Sequence, residues 1–115
     1  MSQETALGRL RKDLQKVEED LRQMEVQKKD LDDKYLAAKQ EEDKVVAELR
    51  SCRDAYKYNQ LEMRLSILSR RRKEAEAVKE ENERKMRGYR EEIVKIKAKI
   101  EYLKPKDNKF ITEKP

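Results

Sequence analysis

No histidine and no tryptophan occur in this 115-residue chain; glycine and proline appear twice each, cysteine and phenylalanine once. Each shortage removes a class of chemistry. Without histidine the commonest general base and zinc ligand is missing, and with Gly8 and Gly88 standing alone there is no glycine-rich phosphate loop. Cys52 is the single thiol, so neither a disulfide framework nor a spaced cysteine cluster for a metal can form. The expectation is therefore no enzymatic activity, no catalytic residue, no cofactor and no bound metal. Carboxylates are abundant, but a solvated helix face accounts for them and supplies nothing to raise their pKa.

A long apolar run is missing too. No stretch approaches the roughly 18 apolar residues of a membrane span, and the opening MSQETALGRLRKD has no apolar signal core. A lone thiol suits a reducing compartment. These features predict a soluble, intracellular protein, cytoplasmic or associated with the cytoskeleton, with no membrane span.

What the chain does contain is charge, 48% of its residues, against 36% hydrophobic. Such a balance means disorder unless the apolar residues are periodic, in which case it means a long helix or coiled coil. They are periodic. Spacings of three and four run through Leu7, Leu10, Leu14, Val17, Leu21 and Met24, then Lys28, Leu31, Tyr35 and Ala38, then Glu42, Val45, Leu49, Cys52 and Tyr56. A second run of the same spacing holds Tyr58, Leu61, Leu65 and Leu68, then Arg72, Ala75, Lys79 and Asn82, then Met86, Tyr89, Ile93, Ile96, Ile100 and Leu103. Sustained over this many heptads, the pattern is that of a coiled-coil seam. Lys28 and Glu42 interrupt the first run, where polar residues reduce stability and either fix register and partner choice or are tolerated imperfections; Arg72 and Lys79 weaken the second run.

The two runs are out of phase. Passing from Tyr56 to Tyr58 displaces the seam by two residues, roughly 200° around a helix of 3.6 residues per turn. The predicted fold is all-α: a long coiled-coil helix, mostly continuous, with a register shift near residues 54–68, and a two-helix antiparallel hairpin as the alternative. YKYNQ inside that window has no glycine or proline, which favours continuity. Residues 1–4 read as an N-terminal tail and cap, 5–104 as the coiled-coil helix, and 105–115, beginning at Pro105, as a polar tail in which Phe110 and Ile111 are a possible small docking motif. Gly88 interrupts good helix formers at an outer position, where it reads as a tolerated residue, a bend or a close contact.

Charge is unevenly spread. Residues 1–56 hold 12 bases and 14 acids, and residues 57–115 hold 18 bases and 11 acids. At the positions flanking the two seams the first half is net acidic and the second net basic. That complementarity favours an antiparallel homodimer, a hairpin or a heteromer with another helical protein over a parallel homodimer. Arg70, Arg71, Arg72 and Lys73 form the densest basic run, a possible contact for an acidic partner. No aromatic residues interleave to stack bases, so nucleic acid is an unlikely partner. Ser66 and Ser69 stand beside these bases as possible phosphate acceptors.

Leu7, Leu10, Leu14, Val17, Leu21, Met24, Leu31, Val45, Leu49, Leu61, Leu65, Leu68, Met86, Tyr89, Ile93, Ile96, Ile100 and Leu103 are the expected oligomer seam. In composition alone the chain is similar to small coiled-coil subunits of ciliary, centrosomal, kinetochore and vesicle-tethering complexes. The expected function is a structural and interaction protein that oligomerises through these seams and scaffolds a cytoskeletal, ciliary, centrosomal, kinetochore or trafficking assembly. The alternative is a binding module whose basic second half engages an acidic polymer, nucleic acid or a tubulin tail.

Overall fold

The computed structural model describes residues 3–104, with side chains from Thr5 onward. They form two α-helices of 49 residues each, α1 (Gln3–Ser51) and α2 (Ala55–Leu103), with no strand among the described residues. The all-α class holds, and of the two arrangements the phase slip allows, the chain takes the antiparallel hairpin. The continuous helix through 54–68 does not form: the break lies at 52–54, at the leading edge of that window.

Local chemistry explains the break. At the end of α1 the Ser51 hydroxyl turns back on the carbonyls of Glu48 (3.3 Å) and Ala47 (3.5 Å), and the Cys52 N–H closes on Leu49 O at 3.3 Å. Asp54 then caps α2. Its Oδ1 accepts from the N–H groups of Tyr56 (3.0 Å) and Lys57 (3.5 Å), while its carbonyl takes the first helical bond, from Tyr58 N–H at 2.8 Å. An aspartate in this position satisfies donors that a helix start leaves orphaned and favours the positive end of the helix dipole. The Cys52 thiol, half-buried, donates to Asp54 O at 3.4 Å. Neither a positive φ nor a cis peptide is needed, which is why the turn needs no glycine or proline.

The chain divides into two units: a turn-proximal one, residues 24–85, and a terminal one in which α1 up to Gln23 meets α2 from Met86 onward. In the terminal unit Leu7, Ile96 and Ile100 are buried together, with Leu10, Leu14, Val17 and Leu103 packed against them. In the turn-proximal unit Val45, Leu61 and Leu68 form the core, with Leu49, Cys52 and Leu65 around it. Each such side chain contributes about 1.5–3 kcal/mol when fully buried. None of the eighteen seam residues is exposed: Leu7, Val45, Leu61, Leu68, Met86, Ile96 and Ile100 are buried and the other eleven half-buried. The aromatic residues on either side of the phase slip behave otherwise, since Tyr56 and Tyr58 are both exposed.

Gly88 lies within uninterrupted α2, and a Cβ added there would meet nothing within 4 Å. It marks neither a break nor a close contact. The tail from Pro105 to Pro115, with Phe110 and Ile111, lies outside the described residues.

Candidate functional site

Away from the turn, the inner seam of the turn-proximal unit is polar. Glu42, 8% exposed, projects toward α2, where Arg72 Nε donates to its Oε1 at 3.1 Å and the Ser69 hydroxyl donates as well. These two donors hold the Glu42 carboxyl below its ordinary pKa, the Ser69 hydrogen bond first and the Arg72 guanidinium second. Arg72 reaches Glu76 with its other arm at 3.0 Å, and both carboxylates raise its pKa. Further along, Lys79 bonds Glu83 at 3.0 Å, approaches Asp32 at 3.9 Å and sits 5.7 Å from the centre of the Tyr35 ring. Lys28 bonds Asp32 at 2.7 Å and is the main cause of that carboxyl's lowered pKa. Asn82, 5% exposed, donates to the carbonyl of Met24 at 3.2 Å.

Of the polar residues that interrupt the two apolar runs, Glu42 and Arg72 answer one another across the helices and Asn82 and Lys79 also reach α1, whereas Lys28 is paired within its own helix. A buried carboxylate or amide without a partner is costly, so the pairs Glu42 with Arg72 and Asn82 with Met24 O penalise every register that separates them. No metal-ligand or nucleophilic constellation arises in this stretch.

The outward face of α2 differs in character. Placing Met63 at the centre of a helical projection, Tyr56 lies about 20° away, Ile67 about 40° and Val78 about 60°. These side chains are 73%, 71%, 53% and 53% exposed for Tyr56, Met63, Ile67 and Val78. They make an apolar stripe on the side of α2 turned from Leu61, Leu68 and Arg72. Toward its far end the stripe adjoins a shallow groove between the helices, lined by Leu31, Ala75 and Val78 with Lys34, Arg71 and Glu74 at its rim.

Beside the stripe stands a basic column. Lys57, Arg64 and Arg71 follow one another at seven-residue intervals, each about 10.5 Å from the next along the axis. All three are exposed and none forms a salt bridge among the described residues. Of the expected basic run, Arg70, Arg71 and Lys73 are exposed and likewise without a salt bridge there, whereas Arg72 is turned inward to Glu42 and Glu76. The four do not share one face. Some other surface cations are paired locally, as Arg22 with Glu19, Lys29 with Asp33, Lys34 with Asp30 and Lys39 with Asp43.

The period of the inner seams was readable in the sequence, and so was part of the outward stripe: Tyr56, Met63 and Ile67 prolong the first run on a face nearly opposite to Leu61, Leu65 and Leu68. Val78 stands outside both runs and carried no such signal. No helix among the described residues is long and apolar enough to cross a membrane. No protein-family model, curated protein or solved structure matches the chain.

Proposed function

We propose that the chain is a non-catalytic structural and interaction protein: a helical hairpin that closes its own heptad seams and presents its outer faces to helical partners within a larger assembly. The observation that carries this reading is the exposure, among the described residues, of nine large hydrophobic side chains, with Val26, Tyr56, Met63, Val94 and Tyr102 at 67–79%. Two helices have only one shared interface, and the apolar seams already occupy it. Side chains left on the opposite faces need a third helix for burial.

Closure within one chain also meets the charge complementarity of the two halves, which removes the main reason for an antiparallel homodimer. A heteromeric helical partner is the reading we favour. A cytoplasmic or cytoskeleton-associated scaffold, of the cytoskeletal, ciliary, centrosomal, kinetochore or trafficking kind, is consistent with it. A second reading rests on the bases Lys57, Arg64, Arg70, Arg71 and Lys73, none of which has a salt bridge among the described residues: these would engage an acidic polymer.

Sedimentation of the tagged full chain in native extract, beside the purified chain, tests the proposal. A particle well above 13.8 kDa that survives nuclease and moderate salt is expected. Migration at the mass of the free chain would refute the scaffold reading. Collapse of the particle between low and moderate salt, or on nuclease treatment, would establish the acidic-polymer reading instead.

A further inference from the structure

We propose that an acidic amphipathic helix of a partner protein lies along the outward face of α2 from Tyr56 to Val78, its apolar residues on Tyr56, Met63 and Ile67 and its carboxylates against Lys57, Arg64 and Arg71. This rests on the interaction reading above and names the surface and the chemistry of the partner.

The apolar half of the recognition comes from position. Tyr56, Met63, Ile67 and Val78 fall within about 60° of one another around the helix, so one partner helix covers them together. Ala77 and the groove at Leu31 and Ala75 continue the surface beyond Ile67. These side chains have no role in the hairpin core, which is built by Leu61, Leu65 and Leu68 on the other side of α2.

The charged half comes from the basic column. Its seven-residue repeat is the heptad of a packed helix, so a partner with an acid at one flanking position per heptad meets Lys57, Arg64 and Arg71 in turn. Arg70 borders the stripe on its other edge, about 20° from Met63, and adds a fourth base. Against these bases the same stretch exposes Glu62, about 100° from Met63 on the far flank, and Glu74, which falls within the stripe between Ile67 and Val78, so four bases outnumber two acids and the face is net positive.

A second copy of this chain fits poorly. Antiparallel pairing on the stripe sets each basic column against its own copy, and parallel in-register pairing sets Arg70 on Arg70. Nucleic acid would satisfy the bases but, as a phosphate polymer, gives Met63 and Ile67 nothing to bury against; an anionic lipid surface could take both, and the vesicle arm of the test separates it from a helix. Lys57, Arg64 and Arg71 on one flank, rather than around the helix, also match a single neighbouring rod.

The probe is a synthetic peptide of about four heptads with leucine at both core positions and glutamate at both flanking positions. Alone at neutral pH its own carboxylates keep it unfolded. Mixed with the full chain, it is expected to become helical by circular dichroism and to bind by fluorescence anisotropy. Met63→Asp with Ile67→Asp, and separately Arg64→Glu with Arg71→Glu, should each weaken binding by tenfold or more, about 1.4 kcal/mol, while the melting temperature of the chain stays near that of the parent. Val94→Asp, equally exposed but in the terminal unit, should leave binding unchanged.

The proposal is overturned if a lysine-flanked version of the peptide binds as well, if neither peptide binds, or if the outward variants bind like the parent. It is likewise overturned if duplex DNA or phosphatidylserine vesicles bind with dependence on Met63 and Ile67 while the acidic peptide does not. In extract, an assembly that persists with Met63→Asp and Ile67→Asp refutes this surface and leaves the scaffold reading standing. A parent chain that never assembles refutes the scaffold reading itself.

Discussion

Arg72 Nε donates to Glu42 Oε1 at 3.1 Å across thirty residues of sequence, joining the two helices where each apolar run is interrupted. Both residues read separately as defects. Together they are a register lock, because Glu42 is 8% exposed and has no water shell to fall back on if α2 slides.

The partners of this pair differ in what they lose. Arg72→Leu leaves the buried Glu42 carboxylate with Ser69 alone, whereas Glu42→Leu leaves Arg72 still bonded to Glu76 at 3.0 Å. Arg72→Leu is therefore expected to lower the melting temperature more than Glu42→Leu. The double leucine variant should melt at or above the parent, since replacing both members of a buried pair with apolar residues is commonly neutral or stabilising. Its cost should appear as self-association in sedimentation, because the seam then accepts alternative registers. A double variant less stable than either single one would show that the pair supplies net stability rather than register.

Acid should unfold the hairpin through these carboxylates. The Glu42 carboxyl lies below its ordinary value of 4.5, held there by Ser69 and then Arg72, and Asp32 lies below 3.8, held chiefly by the Lys28 hydrogen bond. A carboxyl with a lowered folded pKa contributes stability that is complete above its unfolded pKa and lost as pH falls through the folded value. The melting temperature should accordingly stay level from neutral pH to about 5 and drop below the ordinary carboxylate range. Glu42→Gln should remove more of that drop than Glu81→Gln, because Glu81 is exposed and its shift comes from a local pairing with Arg84 on the same helix. Equal flattening by the two would assign the acid transition to surface charge in general.

On the α2 side, the turn is capped by one side chain. Asp54→Ala deletes the acceptor for the N–H groups of Tyr56 and Lys57, and loss of such a cap costs about 0.5–2 kcal/mol. Asp54→Asn, which keeps the oxygen, should retain most of the stability. Chemical denaturation of the three proteins checks the order. If Asp54→Asn is as damaging as Asp54→Ala, the charge of Asp54 against the helix dipole matters more than its hydrogen bonds.

How far the sequence reveals this molecule follows from the same residues. Heptad spacing is a physical record of burial, and the apolar runs it marks coincide with the buried and half-buried faces of the two helices, except at Tyr56 and Tyr58, which are exposed. The turn was also recorded, in the two-residue slip between Tyr56 and Tyr58, because the stripes of two separate helices have no reason to share a phase. Its chemistry was harder to see. Glycine and proline are the usual signs of a break, and here their place is taken by Ser51 folding back on the last carbonyls of α1 and Asp54 capping α2. Pairings across the helices were not legible at all: that Glu42 meets Arg72 and Ser69, or Asn82 the carbonyl of Met24, depends on where the chain folds back. Gly88 shows the reverse case, a residue that invites a structural role and has none. Gly88→Ala should raise stability by about 1 kcal/mol, helix propensity being the only quantity changed, and a loss on denaturation would reveal a contact on that face.

Ile67 and Leu68 are neighbours in sequence and opposites in environment, 53% and 3% exposed. Leu68 belongs to the core with Val45 and Leu61, so Leu68→Ala opens a cavity that the two helices can relax into only partly, at about 2–5 kcal/mol. Ile67 points away from that core, and Ile67→Ala should change the stability of the isolated chain by no more than about 0.5 kcal/mol. The contrast becomes informative when a partner is present. Bound to an acidic helix on the outward face, the chain gains stability from that binding, and Ile67→Ala should forfeit much of the gain while leaving the free protein unaltered. Thermal melts of parent, Ile67→Ala and Leu68→Ala, each with and without the glutamate-flanked peptide, separate the two roles. If Ile67→Ala proved as destabilising as Leu68→Ala in the free chain, Ile67 would be part of the fold, and the stripe it shares with Tyr56 and Met63 would not be a surface held open for a partner.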